Sequence, residues 1–309
     1  MTAGTQLHAA ARAGNNKSVM TLLAFGADKD ALDADGNSPL FLAARHNHAV
    51  VTSTLLGSGA GYSAWGSTSY TAFEEAAVRG YVEVLRAFIL RVPLGPRKEE
   101  LDSALALAVI QGEVGAVDVL AAAGGDVDQE DADGDGGSHL AYAIGAGDLD
   151  VMRTLVRHGA CVDAEYNGAG TLLTYACTSQ RNGFWEAVDI LLRSGADERT
   201  VDTGGRTCLQ LLDDGDGFEG EHYGSPDDRE RARLLLTRAA SDRAWSRRSW
   251  LVMLHSRALK EAEASHVYGC PGTPRIEYAG GVETCLGPVV GSLVDLKPRE
   301  VFRTVVSFL

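Results

Sequence analysis

Apolar and small residues recur along this chain with a period of 33. Leu7-His8-Ala9-Ala10-Ala11, Leu40-Phe41-Leu42-Ala43-Ala44 and Phe73-Glu74-Glu75-Ala76-Ala77 begin 33 residues apart, and Gly26-Ala27 is matched at the same interval by Gly59-Ala60. In each phrase the adjacent small residues let a neighbouring helix approach closely, while leucines one turn apart fill the space between helices. A turn follows at Gly14, Asn47 or Gly80. Then comes a second apolar stretch, such as Val19-Met20-Thr21-Leu22-Leu23 or Val50-Val51-Thr52-Ser53-Thr54-Leu55-Leu56. Gly26 and Gly59 end those stretches, where glycine suits a left-handed helix C-cap. The pattern predicts helix-turn-helix units that bury their apolar sides only against one another. Such stacks are binding surfaces far more often than catalysts.

Further copies follow. A degenerate fourth runs from Leu105-Ala106-Leu107-Ala108 to Gly124, and a fifth from Ser138-His139-Leu140-Ala141-Tyr142-Ala143 to His158-Gly159-Ala160. The sixth starts at Gly170-Thr171-Leu172-Leu173, carries about three extra residues (Gln180, Arg181, Asn182) in its inter-helix turn, and ends at Gly195-Ala196-Asp197. A seventh opens at Gly205-Arg206-Thr207-Cys208-Leu209 and is interrupted by an acidic, glycine-rich stretch over 213–228, which reads as a solvated loop. Its second helix is expected to resume at Arg229, with Asp227 or Asp228 as N-cap.

These phrases resemble the ankyrin repeat, in which a glycine precedes Thr-Pro-Leu-His and paired alanines, a Gly-His turn follows, and a valine-rich second helix ends in Leu-Leu-x-x-Gly-Ala. The fullest match runs from Asp35-Gly36-Asn37-Ser38-Pro39-Leu40 through Val50-Val51 to Leu55-Leu56-Gly57-Ser58-Gly59-Ala60. The resemblance implies an all-α ankyrin-repeat solenoid of about seven stacked helix-turn-helix units with short β-hairpin-like loops, the fourth and seventh units degenerate, over residues 1–240. It also makes His8 a structural group that bonds a turn.

Residues 241–309 are not repeats. Trp245 to Ala264 reads as a long helix with Trp250, Leu251, Leu254 and Leu259 near one face. Breakers at Cys270-Pro271-Gly272-Thr273-Pro274 and Gly280-Gly281 make Tyr268 to Leu296 extended or looped. Pro298 then suits a helix start, with Val301, Phe302, Val305 and Val306 at helical spacing. We expect this extension to pack on the last repeat as a C-terminal helical cap, because an uncapped end would leave apolar surface in water at about 25 cal/mol per Å².

Charge sharpens the picture. The net charge is −14, yet Arg229 to Lys260 holds nine basic residues against only Glu230 and Asp242. An acidic body joined to a basic segment suits either internal docking or an outside anion. Arg243, Arg247 and Arg248, beside Trp245 and Trp250, form a basic patch that RNA, acidic lipid or an acidic protein could engage; pairing with the body's acidic loops is the plainer expectation. Five cysteines without a secretory pattern point to reduced thiols, no disulfide framework and a cytoplasmic location, with the nucleus as the second compartment open to it. No apolar run approaches the roughly 18 residues that span a bilayer.

Catalytic and ligand chemistry is poorly supported. Asp131-Ala132-Asp133-Gly134-Asp135-Gly136 opens like a calcium loop, but its twelfth position is Tyr142 where a bidentate glutamate is required. Cys270, Cys285 and His266 could converge on zinc, yet there is no CxxC pairing. No glycine-rich run ends in Gly-Lys-Ser or Gly-Lys-Thr, and neither GxSxG nor HExxH occurs, so no cofactor, metal or catalytic residue is expected.

The resemblance instead implies a concave binding face. Carried onto this chain by motif, its contact positions are Asp35, Asn37, Arg45 and His46 in the second copy and Trp65, Tyr70 and Arg79 around the third. Asp133 and Asp135 follow in the fifth and Arg206 in the seventh. Trp65 and Tyr70 are the expected anchors, since aromatics dominate binding hot spots. The expected function is a non-catalytic, monomeric protein-protein interaction scaffold or adaptor that does not bind nucleic acid. One alternative is a ubiquitin-ligase substrate adaptor, because Leu293-Val294-Asp295-Leu296-Lys297-Pro298 with Phe308-Leu309 is similar to the end of a SOCS box, although His255 departs from its elongin-binding part. The other is an enzyme with its site around Cys270, Cys285 and His266.

Overall fold

The computed structural model describes residues 3–62, 66, 68, 70–92, 95–129, 137–166, 170–178, 183–213 and 225–239, and the backbone of 276–277 and 283–284. The chain divides into two compact units, Met1–Arg233 and Leu234–Leu309. The division falls within a helix, ahead of the boundary expected after residue 240.

The first unit is built of paired helices. The pairs are α1 (Ala3–Arg12) with α2 (Asn16–Ala24), α3 (Pro39–Arg45) with α4 (Ala49–Gly57), and α5 (Ala72–Val78) with α6 (Val82–Arg91). Next come α7 (Lys98–Ile110) with α8 (Val114–Ala122), α9 (His139–Ala146) with α10 (Leu149–Arg157), and α11 (Leu172–Cys177) with α12 (Phe184–Arg193). α13 (Cys208–Asp213) opens a seventh pair whose second helix, α14, spans 226–239. First helices pack on first helices from α1 through α13, and second helices on second helices from α2 through α12, giving two layers. This is the expected helical-pair solenoid.

The start of each first helix is written locally. Ser38 accepts the N–H of Phe41 at 3.1 Å with Pro39 at the first helical position, and Ser138 accepts that of Ala141 at 3.3 Å. Thr71 and Glu74 exchange bonds as a capping box, and Thr207 with Gln210 does the same: Gln210 N to Thr207 Oγ1 is 3.3 Å and Thr207 N to Gln210 Oε1 is 2.8 Å. The degenerate fourth copy lacks such a Ser or Thr. Its first helix starts instead at Lys98, runs 13 residues, and has the N–H of Arg97 bonded to Glu100 at 3.0 Å.

Between the helices of each of the first three pairs the chain must reverse within three residues, which requires one left-handed position. Gly14 (φ 71°), Asn47 (φ 60°) and Gly80 (φ 65°) supply it, and Asn47 is the only non-glycine with positive φ among the described residues. Six residues rather than three separate α11 from α12, matching the extra turn residues of the sixth copy. The core is the paired small residues and the leucines: Ala43, Ala44, Ala76, Ala77, Ala108 and Ala176 are buried with Leu40, Leu55, Leu105 and Leu155.

Hairpin tips project between pairs. Four of them close with the N–H of one residue bonded to the carbonyl four ahead: Asp33 to Asn37 at 2.9 Å, Gly66 to Tyr70 at 2.8 Å, Tyr166 to Gly170 at 2.9 Å and Asp202 to Arg206 at 2.9 Å. Isolated antiparallel bridges, Glu165 with Thr171 and Val201 with Thr207, complete two of them. Aspartates stitch successive tips together, Asp30 accepting the N–H of Gly61 at 2.7 Å, Asp128 that of Cys161 at 2.6 Å and Asp163 that of Asp197 at 3.0 Å. Part of the acidity of the body is therefore backbone cross-linking.

The seventh pair differs from the sequence expectation. α13 runs through Asp213 and α14 is already helical at 226, so the loop between them is shorter than 213–228. The cap of α14 is Ser225, whose Oγ accepts the N–H of Asp228 at 3.1 Å, not Asp227 or Asp228. The reason is Pro226, which is pre-set for the first helical position and leaves the preceding serine as N-cap. Asp228 is thereby turned toward the sixth pair, where it accepts the N–H of Gly183 at 3.0 Å. That bond, against some burial, and with help from Ser225 and Arg231, holds its carboxyl below the ordinary value of 3.8.

In the second unit, β1 (Ile276–Glu277) pairs antiparallel with β2 (Glu283–Thr284), Ile276 opposite Thr284, inside the stretch expected to be extended or looped. The helices expected over Trp245–Ala264 and after Pro298 lie outside the described residues, as does the capping contact. No helix among the described residues is long and apolar enough to cross a membrane.

Candidate partner-binding face

The ends of the first helices carry a row of cations. Arg12 closes α1, Arg45 closes α3 and Arg79 caps α5, with side chains 54%, 35% and 40% exposed. Beneath them lies Glu75, in the middle of α5 and 2% exposed. Its Oε1 accepts from Nε of Arg79 at 2.7 Å and stands 3.7 Å from Nε of Arg45, while its Oε2 accepts from the hydroxyl of Thr68 at 3.0 Å. A buried carboxylate is tolerable only when its charge is met in this way. The bond to Glu75 also outweighs partial burial and holds the Arg79 guanidinium above the ordinary arginine value, with Tyr81 adding to it.

His46 and His48 extend the row, their rings stacked with centroids 6.4 Å apart. Nε2 of His48 lies 3.0 Å from the carbonyl of Arg12, joining the second turn to the first. Partial burial of its ring, and after it the charges of Arg12, His48, Arg45 and Arg79, hold His46 below the ordinary histidine value of 6.5. At the N-terminal end Arg12 pairs with Asp33 at 3.7 Å.

The tip positions divide. Asp35 is exposed at the second tip. Asn37 is only 3% exposed: its N–H and side-chain amide bond the two oxygens of Asp33 at 2.8 and 3.4 Å, and its carbonyl meets Nε2 of His8 at 3.1 Å. Asn37 is thus a strut of the tip rather than a surface contact, because a tip this tight needs its amide to satisfy Asp33. His8 plays the structural part expected of it, its Nε2 also reaching the carbonyl of Ala31 at 2.9 Å; two carbonyl partners require that nitrogen to carry the proton. Tyr70 is half-buried and closes the third tip through its carbonyl. Arg206 is exposed but tethered to Asp202, with Nε 2.9 Å and an Nη 2.8 Å from the same oxygen. Trp65, Asp133, Asp135, Arg243, Arg247 and Arg248 lie outside the described residues, as do Cys270, Cys285, His266 and the 293–298 segment.

Sequence reasoning brought Arg45, His46 and Arg79 to one face but missed Arg12, His48 and Glu75. The signal was present: Arg12 is 33 residues before Arg45, and Glu75 stands in the register that Leu42 holds in the preceding copy, an acid at an apolar position. It also missed a 590 Å³ cavity on the second-helix layer, between α10 and α12, lined by Arg153, Arg157, Trp185 and Asp189 among others. Its charges are matched internally, Arg153 with Glu186 at 3.6 Å and Arg157 with Asp118 at 3.2 Å, and Arg231 covers the Trp185 ring at 5.2 Å. In the interior, buried Cys177 and Cys208 of neighbouring first helices meet; the hydrogen bond between the two, followed by burial, pushes the Cys177 thiol well up. Tyr142, the twelfth position of the would-be calcium loop, belongs to α9 and reaches the carbonyl of Ile110 at 3.5 Å.

The fold and this face define a helical-repeat interaction module. A family model described as Ankyrin repeats (3 copies) matches residues 7–98 and again 105–202, and the chain belongs to the ankyrin-repeat family. The ankyrin repeat and KH domain-containing protein mask-1 of Caenorhabditis elegans is 30% identical over 247 residues, covering 74% of this chain. The chain spans only 9% of the length of that relative. Among solved structures, the ankyrin repeat domain of Bcl-3, described as a unique member of the IkappaB protein family, matches 67% of this chain and 92% of its own. Its TM-score is 0.56 at 26% identity. The human ASB11 ankyrin repeat domain matches 74% of this chain and 96% of its own with TM-score 0.54 at 23% identity, a likeness of fold. Ankyrin repeats mark the chain as a protein-interaction domain.

Proposed function

We propose that this chain is a non-catalytic scaffold that holds a protein partner on the concave ankyrin surface, the face made by the first-helix ends and the hairpin tips. The observation that carries the reading is the row of Arg12, Arg45, His46 and Arg79. The paired alanines and the core leucines of successive helices are buried, yet partly exposed cations recur on the ends of three successive first helices, two of them held over a buried carboxylate. Arginines fixed in place lose little freedom on binding, which favours their use as contact residues. Tyr70, half-buried at the third tip, is the aromatic this reading assigns to the contact.

The test is affinity capture from the native cell with wild type and with an Arg45→Ala, His46→Ala, Tyr70→Ala variant, both shown to be folded by circular dichroism. One specific protein should be retained by the wild type and lost by the variant. Identical sets of retained proteins would sink the proposal.

A further inference from the structure

We infer that the first-helix face of the first three pairs takes an acidic segment of the partner, with Asp or Glu carboxylates lying along Arg12, Arg45 and Arg79. This rests on the scaffold reading and adds the chemistry of what is bound.

The argument starts from register. Arg12 and Arg45 are 33 residues apart and Arg79 follows 34 later, so stacking of α1, α3 and α5 sets them side by side. Both Arg45 and Arg79 approach one oxygen, Oε1 of Glu75, at 3.7 and 2.7 Å, which fixes their guanidinium groups next to each other. Two carboxylates already stand there, and both are committed to the fold. Asp33 accepts the N–H groups of Asn37 at 2.8 Å and Asp35 at 3.0 Å, and Glu75 is buried beneath the arginines. Arg12, Arg45 and Arg79 therefore keep part of their surface in solvent above carboxylates that are already engaged, with side chains 54%, 35% and 40% exposed, His46 and His48 adjoin them, and Glu113 beside Gly80 bounds the row on its far side. The depressed proton affinity of His46, which follows from partial burial and the surrounding arginines, reports the same field.

The row also stops abruptly. The positions that continue it in the fourth to sixth pairs are Gln111, Ala146 and Thr178. The residues that open the second helices change likewise, from Asn15, His48 and Tyr81 to Glu113 and Asp148. Glu113 packs beside Gly80 and Asp148 beside Gly112, so this turn edge passes from basic to acidic between the third and fourth pairs. In a chain of net charge −14 a basic strip confined to three pairs is local, and it fits an acidic peptide. Guanidinium forks bind carboxylates in a bidentate manner, which suits the side chains of Asp and Glu.

The experiment is fluorescence anisotropy on the whole chain with three labelled probes: a twelve-residue peptide of Glu, Asp and Ser, a Lys-Ser peptide of equal length, and a twelve-nucleotide RNA. The acidic peptide should bind the wild type, weaken as salt rises, and bind Arg12→Gln, Arg45→Gln about tenfold or more weakly. Arg153→Gln, on the second-helix layer, should bind it like the wild type. Arg12→Gln alone leaves Glu75 and its partners untouched and should weaken binding in the same direction, which decides the matter if the double variant is misfolded. Binding of the acidic peptide that is absent, or equal in wild type and Arg12→Gln, overturns the inference, as does tighter binding of the RNA. A cellular partner lost with the first-helix face but not displaced by the acidic peptide overturns this inference and leaves the scaffold reading standing. A partner indifferent to that face overturns the scaffold reading itself.

Discussion

Nε of Arg79 donates to Oε1 of Glu75 across 2.7 Å, one helical turn back on α5. Replacing that acceptor by glutamine keeps its shape and removes its charge, so Arg45 and Arg79 lose their shared counter-ion at a buried position. Glu75→Gln should lower unfolding free energy by about 1–3 kcal/mol. The measurement is a shifted urea midpoint at constant m value, and an unmoved midpoint would show that the carboxylate contributes nothing to stability.

His8 bonds two backbone carbonyls of the next tip, Ala31 at 2.9 Å and Asn37 at 3.1 Å. His8→Ala removes the donor from both carbonyls in a partly buried place and should cost about 1–3 kcal/mol. Faster amide exchange in 31–37 than in the sixth pair would locate the loss there, whereas a uniform rise in exchange would argue against a local strut.

Positive φ and crowding can be separated at two glycines. Gly26 (φ 81°) has open space where a Cβ would stand, while at Gly14 (φ 71°) a Cβ would lie 2.6 Å from the His48 ring. Gly26→Ala should cost about 1–2 kcal/mol, the left-handed penalty of an L-residue. Gly14→Ala should cost at least about 1 kcal/mol more, because His48 must move off its 3.0 Å contact with the Arg12 carbonyl. Equal losses in thermal or urea unfolding would mean that the ring yields without cost.

The helix pairs were legible because two independent signals coincide in the first copies: small pairs such as Ala43-Ala44 or Ala76-Ala77 in the first helix, and a left-handed residue such as Gly14, Asn47 or Gly80 between helices; the Ser38 and Thr71 caps found in the structure agree with them. The start of α14 was misread because aspartates were weighed as caps ahead of the Ser225-Pro226 pair. Half of the face was legible for the same reason as the fold, since Arg45 and His46 follow Ala44 directly and Arg79 stands two residues after Ala77, at the position His46 holds in the preceding copy. Asn37 was not, because whether a tip residue faces outward depends on how Asp33 spends its two oxygens, and that is a matter of three-dimensional closure.

The last expectation concerns pH. Native His46 gives up its proton more readily than an unfolded histidine, because its ring is partly desolvated and faces Arg12, His48, Arg45 and Arg79. Over that interval the unfolded chain binds more protons, so stability falls as pH falls. The contribution is complete above the ordinary value of 6.5 and is lost on descending through the lower native value. Asp33 is also displaced: burial raises it, but the bonds from Asn37 and Asp35 prevail and hold it below 3.8, so its contribution is lost only in stronger acid and does not enter this window. Asp202 and Asp228 are lowered from the same 3.8, by backbone bonds to Arg206 and Gly183 first, and likewise act only below it. Urea unfolding at about pH 7.5 and about pH 5.5 should therefore show a larger loss for the wild type than for His46→Gln, which cannot titrate. Parallel losses in the two proteins would mean that the arginine row exerts no field on this ring, and would remove one support from the acidic-partner inference.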